Sequence, residues 1–146
     1  MATRVFAIAA HPDDIEFGMA GTLILLAGAG CEIHYMNIAN GSCGSTEHDA
    51  QATAEIRLIE ATNAADRIGA VFHRPLVCDI EIFYEKELLA RVASIMRAVV
   101  PDILLVPLAP GLHGRSYQCL PPGGYRCVLP GNEKLSRESA QTARRG

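Results

Sequence analysis

His11, Asp13 and Asp14 stand together in the run VFAIAAHPDDIEFG, residues 5–18. An imidazole and two carboxylates this close can carry out metal-assisted hydrolysis. Histidine and carboxylate suit a borderline ion such as zinc, which in catalytic sites takes three protein ligands and keeps a further position for water. Two adjacent carboxylates then divide the work: one binds the ion, and the other is left to accept a proton from the water. The competing reading is that His11 and Asp14 merely cap the next helix, since aspartate is a good N-cap. What precedes them favours chemistry. Residues 5–10 are an uninterrupted apolar run, the pattern of a strand buried on both faces of a parallel sheet. Pro12 cannot continue the ladder. The three side chains are thereby set at a strand's C-terminal edge, where open α/β sheets hold their ligands.

The elements that must position them follow in order. Residues 17–29 read as a helix carrying Met19, Leu23, Leu25 and Leu26, packed on the sheet through Gly18, Ala20 and Gly21 and ended by Gly28 and Gly30. The Gly-Ala-Gly there follows a helix instead of joining a strand to one, which excludes a dinucleotide fingerprint. Residues 31–39 read as a second strand, and 40–49 as a polar loop placed to contact substrate. His48 and Asp49 in that loop are expected to be solvated and are left out of the metal shell. Residues 51–68 are the clearest helix, with Ala54, Ile56, Ile59, Ala61, Ala64, Ala65 and Ile68 as its apolar pattern. Arg57 and Glu60 share a face of it, by itself a surface ion pair worth about 0–1 kcal/mol. Residues 71–77 are a third strand, weakened by Pro75, with Asp79 just beyond its end. Residues 85–100 form a helix with Leu88, Leu89, Val92, Ile95, Met96 and Val99 inward, and residues 103–107 a fourth buried strand. Strands alternating with helices predict an α/β fold, a Rossmann-like parallel sheet with flanking helices and right-handed crossovers.

Composition narrows the function classes. The 146 residues are 49% hydrophobic with a net charge of −3 and a mean hydropathy of +0.16. This fits a globular core and gives neither a nucleic-acid nor a polybasic membrane signature. No apolar run approaches the roughly 18–20 residues that span a bilayer. The N-terminus lacks a signal-peptide succession, so a cytoplasmic location is expected. Five cysteines without a CxxC pair point to reduced, structural thiols.

The stretch AHPDD at residues 10–14, followed by GMAGTL at 18–23, resembles the PIG-L/LmbE-like zinc-dependent deacetylases. These include enzymes that remove the acetyl group from N-acetylglucosaminyl lipids and from mycothiol or bacillithiol precursors. The resemblance implies that His11 and Asp14 bind zinc and that Asp13 is the general base. It also implies that Arg57 reaches hydroxyl or phosphate groups of the substrate. The expected function is zinc-dependent hydrolysis of an N-acetylated amino sugar or related conjugate, a small-molecule partner. The alternative is an inactive remnant with at most weak metal binding.

The resemblance covers about residues 4–107, taken as the N-terminal part of such a domain. All twelve isoleucines, all six aspartates and all four phenylalanines precede Leu108. Residues 108–146 hold six glycines and four prolines with no periodic apolar segment, so they are expected to form an irregular tail. The family's acidic segment ending in Asp-His, which carries the third zinc ligand, is not found there. His113 is the tail's one histidine, in the unrelated setting Gly-Leu-His-Gly-Arg. Reading the codons of residues 111–119 one base later permits Asp-Tyr-Met-Glu-Asp-His-Thr-Asn-Ala, which resembles the missing segment, with its histidine where Ser116 is written. The tail is accordingly expected to be out of frame, leaving the fold incomplete at its C-terminus and residues 103–106 as a sheet edge.

Overall fold

The computed structural model describes residues 1–107 and the backbone of Arg126–Cys127. The expectations for the rest of the tail lie outside the described residues. The chain builds the expected parallel sheet from β1 (Arg4–Ala9), β2 (Glu32–Asn37), β3 (Val71–His73), β4 (Ile103–Leu105) and β5 (Arg126–Cys127). The helices are α1 (Asp14–Gly28), α2 (Ala50–Arg67) and α3 (Lys86–Val99). The strand order is β3-β2-β1-β4-β5, and every pairing is parallel.

Strand alternation sorts the core into two layers. Val5, Ala7 and Ala9 of β1 with Ile33 and Tyr35 of β2 pack on Ile15, Met19 and Leu23 of α1 and on Ala61 and Ala65 of α2. Phe6 and Ile8 with Met36 and Leu104 face the other way, onto Val92, Met96 and Val99 of α3. Because helices cover both faces of β1, it is apolar at nearly every position.

The structure corrects several details. The first helix starts at Asp14, because Asp13 takes a left-handed conformation (φ 88°) that opens the helical turn directly after Pro12. Gly18 and Gly21 do not pack on the sheet. Both are exposed with open space around them, and the contact is made by Ile15, Met19 and Leu23, which stack on one helix face. Ile56 and Ile59 of α2 also face outward, the small Thr53, Ala61 and Ala65 being the buried residues. The third strand stops at His73, ahead of Pro75, which has no N–H to give the ladder. Contact with the end of β2 resumes at Leu76 and Val77, whose N–H groups donate to Ile38 at 2.9 and 3.2 Å. Of residues 103–106, Ile103 and Leu104 are not left as a sheet edge, since they pair with Arg126 and Cys127.

The join between α3 and β4 is clamped to β1. The Arg4 guanidinium donates to the Val99 carbonyl at 2.6 Å, and the Arg4 N–H donates to the Asp102 carboxylate at 2.8 Å. Within this join the exposed Val100 is held at φ 49°, before Pro101. A left-handed conformation is unfavourable for a β-branched residue, and the following proline restricts it further. The cost for an L-residue, about 1–2 kcal/mol, exceeds the extra chain entropy of glycine, about 0.5–1 kcal/mol. Val100→Gly is therefore expected to stabilise the protein by roughly 0.5–1 kcal/mol. A urea midpoint below that of the parent chain would show that the valine side chain contributes more than its backbone costs.

Candidate functional site

β1 runs out at Ala9, and Ala10 continues only as an acceptor for the Ala39 N–H at 2.8 Å. The next residues form a tight turn closed on itself. The His11 N–H donates to the Asp14 carboxylate at 2.9 Å, and the Asp14 N–H donates back to the His11 carbonyl at 3.3 Å. Asn37, buried at the end of β2, donates its side-chain amide to the same carbonyl at 2.6 Å. This contact ties the turn to the neighbouring strand. In the sequence Asn37 lies inside the strand read over residues 31–39, and nothing there marks this role.

Within the turn, His11 Nδ1 lies 3.7 Å from Asp14 Oδ2, with both side chains about two-fifths exposed (42% and 38%). Pairing with Asp14 raises the His11 pKa above its ordinary value, against partial burial, and the Asp79 charge adds to the rise. Asp13 is the αL residue before α1, in a conformation that aspartate and asparagine tolerate better than most. Partial desolvation and then the Asp14 charge push its carboxyl above the usual range, while Arg57 pulls it down. The first-strand edge therefore holds an imidazole, two unequal carboxylates and a nearby guanidinium.

Two donors of one zinc ion, each about 2.0–2.2 Å from it, can stand at most about 4 Å apart. The 3.7 Å between His11 Nδ1 and Asp14 Oδ2 falls within that limit, so this pair fits a shared ion. Among the described residues no third histidine, cysteine, aspartate or glutamate joins them.

Arg57 forms the ion pair expected from its spacing, donating to Glu60 at 2.9 Å. Its stem is also covered by the loop that follows β2. Gly41, at φ 78°, approaches so closely that a Cβ there would lie 2.8 Å from Arg57 Cγ and 3.0 Å from Pro12 Cγ. The backbone of this loop is held by Asp79, whose two carboxylate oxygens accept the N–H groups of Gly41 and Cys43 at 2.7 and 2.9 Å. The sequence singled out Asp79 only as lying beyond a strand end, and Gly41 only as part of a loop. Asp49 has a structural task, capping α2 by accepting the Ala52 N–H at 2.8 Å, and His48 is exposed.

Comparison with known proteins agrees with this architecture. A curated diacetylchitobiose deacetylase of Thermococcus kodakarensis is 30% identical over 107 residues, which are 71% of this chain and 40% of that protein. The solved N,N'-diacetylchitobiose deacetylase of Pyrococcus horikoshii, complexed with its inhibitor MPG, superposes with a TM-score of 0.73. It is 28% identical, over 81% of this chain and 46% of that one. The chain thus spans less than half the length of either deacetylase. The fold is shared as well by a 4-carboxy-2-hydroxymuconate hydratase, GalB of Pseudomonas putida KT2440, at a TM-score of 0.70 and 22% identity over 97% of this chain and 55% of that one. Residues 6–115 match the family described as PIG-L, GlcNAc-PI de-N-acetylase, and the chain belongs to that family.

Proposed function

We propose that the protein is a zinc-dependent hydrolase that removes the acetyl group from an N-acetylated amino sugar or a related conjugate. The observation that carries this reading is the turn at residues 11–14. It presents a donor pair that fits one ion and, beside it, a second carboxylate of raised pKa. Relatives that are themselves deacetylases of an acetylated disaccharide support the substrate class.

His11 and Asp14 would hold the zinc. Zinc bound there supplies a Lewis acid for the acetyl carbonyl and makes water more acidic. Asp13 is the proton carrier. As a carboxylate it takes a proton from the attacking water, and as the carboxylic acid it returns that proton to the departing amine. Its raised pKa suits both halves of this cycle, because a base too weak to hold the proton could not deliver it later. Arg57, with its charge felt at Asp13 and its stem packed under the loop, is the group to bind hydroxyl or phosphate oxygens of the substrate.

The donor count among the described residues favours one other reading, an inactive relative that binds metal weakly. Zinc titration of the purified chain, run in parallel with deacetylation of N-acetylglucosamine conjugates, separates the two. Tight one-to-one binding with turnover supports the hydrolase. Weak binding without turnover supports the inactive relative.

Where turnover is measured, Asp13→Asn is expected to lower kcat by roughly 10²–10⁴-fold with zinc still bound. Asparagine keeps the αL backbone and loses only the basic oxygen, so equal zinc loss would reverse the roles of the two aspartates. His11→Ala should lose the metal outright. It is the cleaner ligand test, because Asp14 also accepts the His11 N–H. Zinc affinity should fall as the pH is lowered through the raised His11 pKa, since the imidazole must be neutral to bind. Titrations at several pH values should show this single-proton competition, and a flat profile would remove His11 from the ligand set.

A further inference from the structure

We propose that Asp79 is the positioning residue of the site, its carboxylate fixing loop 40–44 as a wall against Pro12 and Arg57. Asp79 is a buried carboxylate, and among the described residues no lysine or arginine forms an ion pair with it. Its charge is met instead by the two backbone N–H groups of Gly41 and Cys43, at 2.7 and 2.9 Å. Such charge-assisted bonds are stronger than neutral ones, and a buried carboxylate deprived of them is costly. The connection also runs the other way, since the Asp79 N–H donates to the Ser42 hydroxyl at 3.3 Å. Beside it, the Asn40 N–H donates to the Val77 carbonyl at 3.1 Å.

These bonds set where Gly41 sits, and Gly41 is the contact between three parts of the molecule. Its Cα side faces Pro12 of the turn and the Arg57 stem of α2 with no room for a methyl group. Gly44 lies over the other end of the same side chain, where a Cβ would be 3.4 Å from Arg57 Nε. Asp79 touches neither His11 nor Arg57 in these bonds. It acts through the loop, so that the segment after β3 holds a loop after β2, which in turn confines a side chain of α2. The functional value of this arrangement rests on reading residues 11–14 and Arg57 as the reacting centre, whereas the anchoring itself does not.

Hydrogen exchange tests the anchor independently of catalysis. Asp79→Asn leaves one acceptor oxygen and turns an N–H₂ towards the second N–H. Exchange at the Gly41 and Cys43 amides is then expected to quicken roughly ten- to a hundredfold, with β1 amides unchanged. The Arg57 Nε–H resonance should shift in the same variant. Uniform acceleration, or no change at residues 41–43, overturns the proposal. If the variant fails to fold, the parent chain still decides. Its Gly41 and Cys43 amides must exchange at least about tenfold more slowly than those of Glu47 and His48, which donate only to the Ser45 hydroxyl. Comparable rates overturn it. Zinc affinity measured on the same parent sample reads the other question. Absence of zinc binding there, with residues 41 and 43 protected, discards the metal site and leaves the anchor standing.

Discussion

The structure depends on one strand paired on both sides. β1 is hydrogen-bonded to β2 along its whole length and to β4 over Val5–Ala7, with helices on both faces. From Val5 to Ala9 every side chain is buried among apolar neighbours, where a polar group would cost free energy unless it found a partner. Chemistry can therefore begin only where the pairing stops, and Pro12 stops it. The turn that follows needs its own hydrogen bonds, and residues 11 and 14 supply them to each other while Asn37 fastens them to the neighbouring strand. The compactness of the site thus follows from the burial of the strand before it.

The balance of charge around that turn is acidic. The carboxylates of Asp14, Asp79 and Asp13 all favour the charged form of His11, while Asp13 is raised first by desolvation and then by the Asp14 charge, with Arg57 and His11 opposing. A cation is the natural complement of such a cluster, and the donor spacing admits one. Asp79 takes its compensation from backbone N–H groups, which turns its charge into a structural bond.

Fold likeness alone would not select the activity, since a hydratase shares this sheet at a TM-score of 0.70. What sets this chain apart is the residue set at the strand edge and the higher sequence identity to the two deacetylases, 30% and 28%. The sheet supplies a place, and the proposed chemistry rests on the side chains after Pro12.

Local patterns in the sequence determined the parallel α/β class, the succession of its first four strands along the chain, the helices between them and the position of His11, Asp13 and Asp14 at a strand end. Each is set by information within about twenty residues: an apolar run, a helical repeat, a proline. The inward face of α3 was legible for the same reason, its apolar residues being large and regularly spaced. That of α1 was not. The helix is apolar nearly all round, so its composition cannot say which side meets the sheet, and only packing chose Ile15, Met19 and Leu23 over Gly18 and Gly21. The work of Asp79, Gly41 and Asn37 was equally out of reach. Asp79 binds backbone 36 and 38 residues away, and Asn37 reaches across 26. Partnerships over such distances exist only once parallel strands bring the ends of separate elements to the same edge.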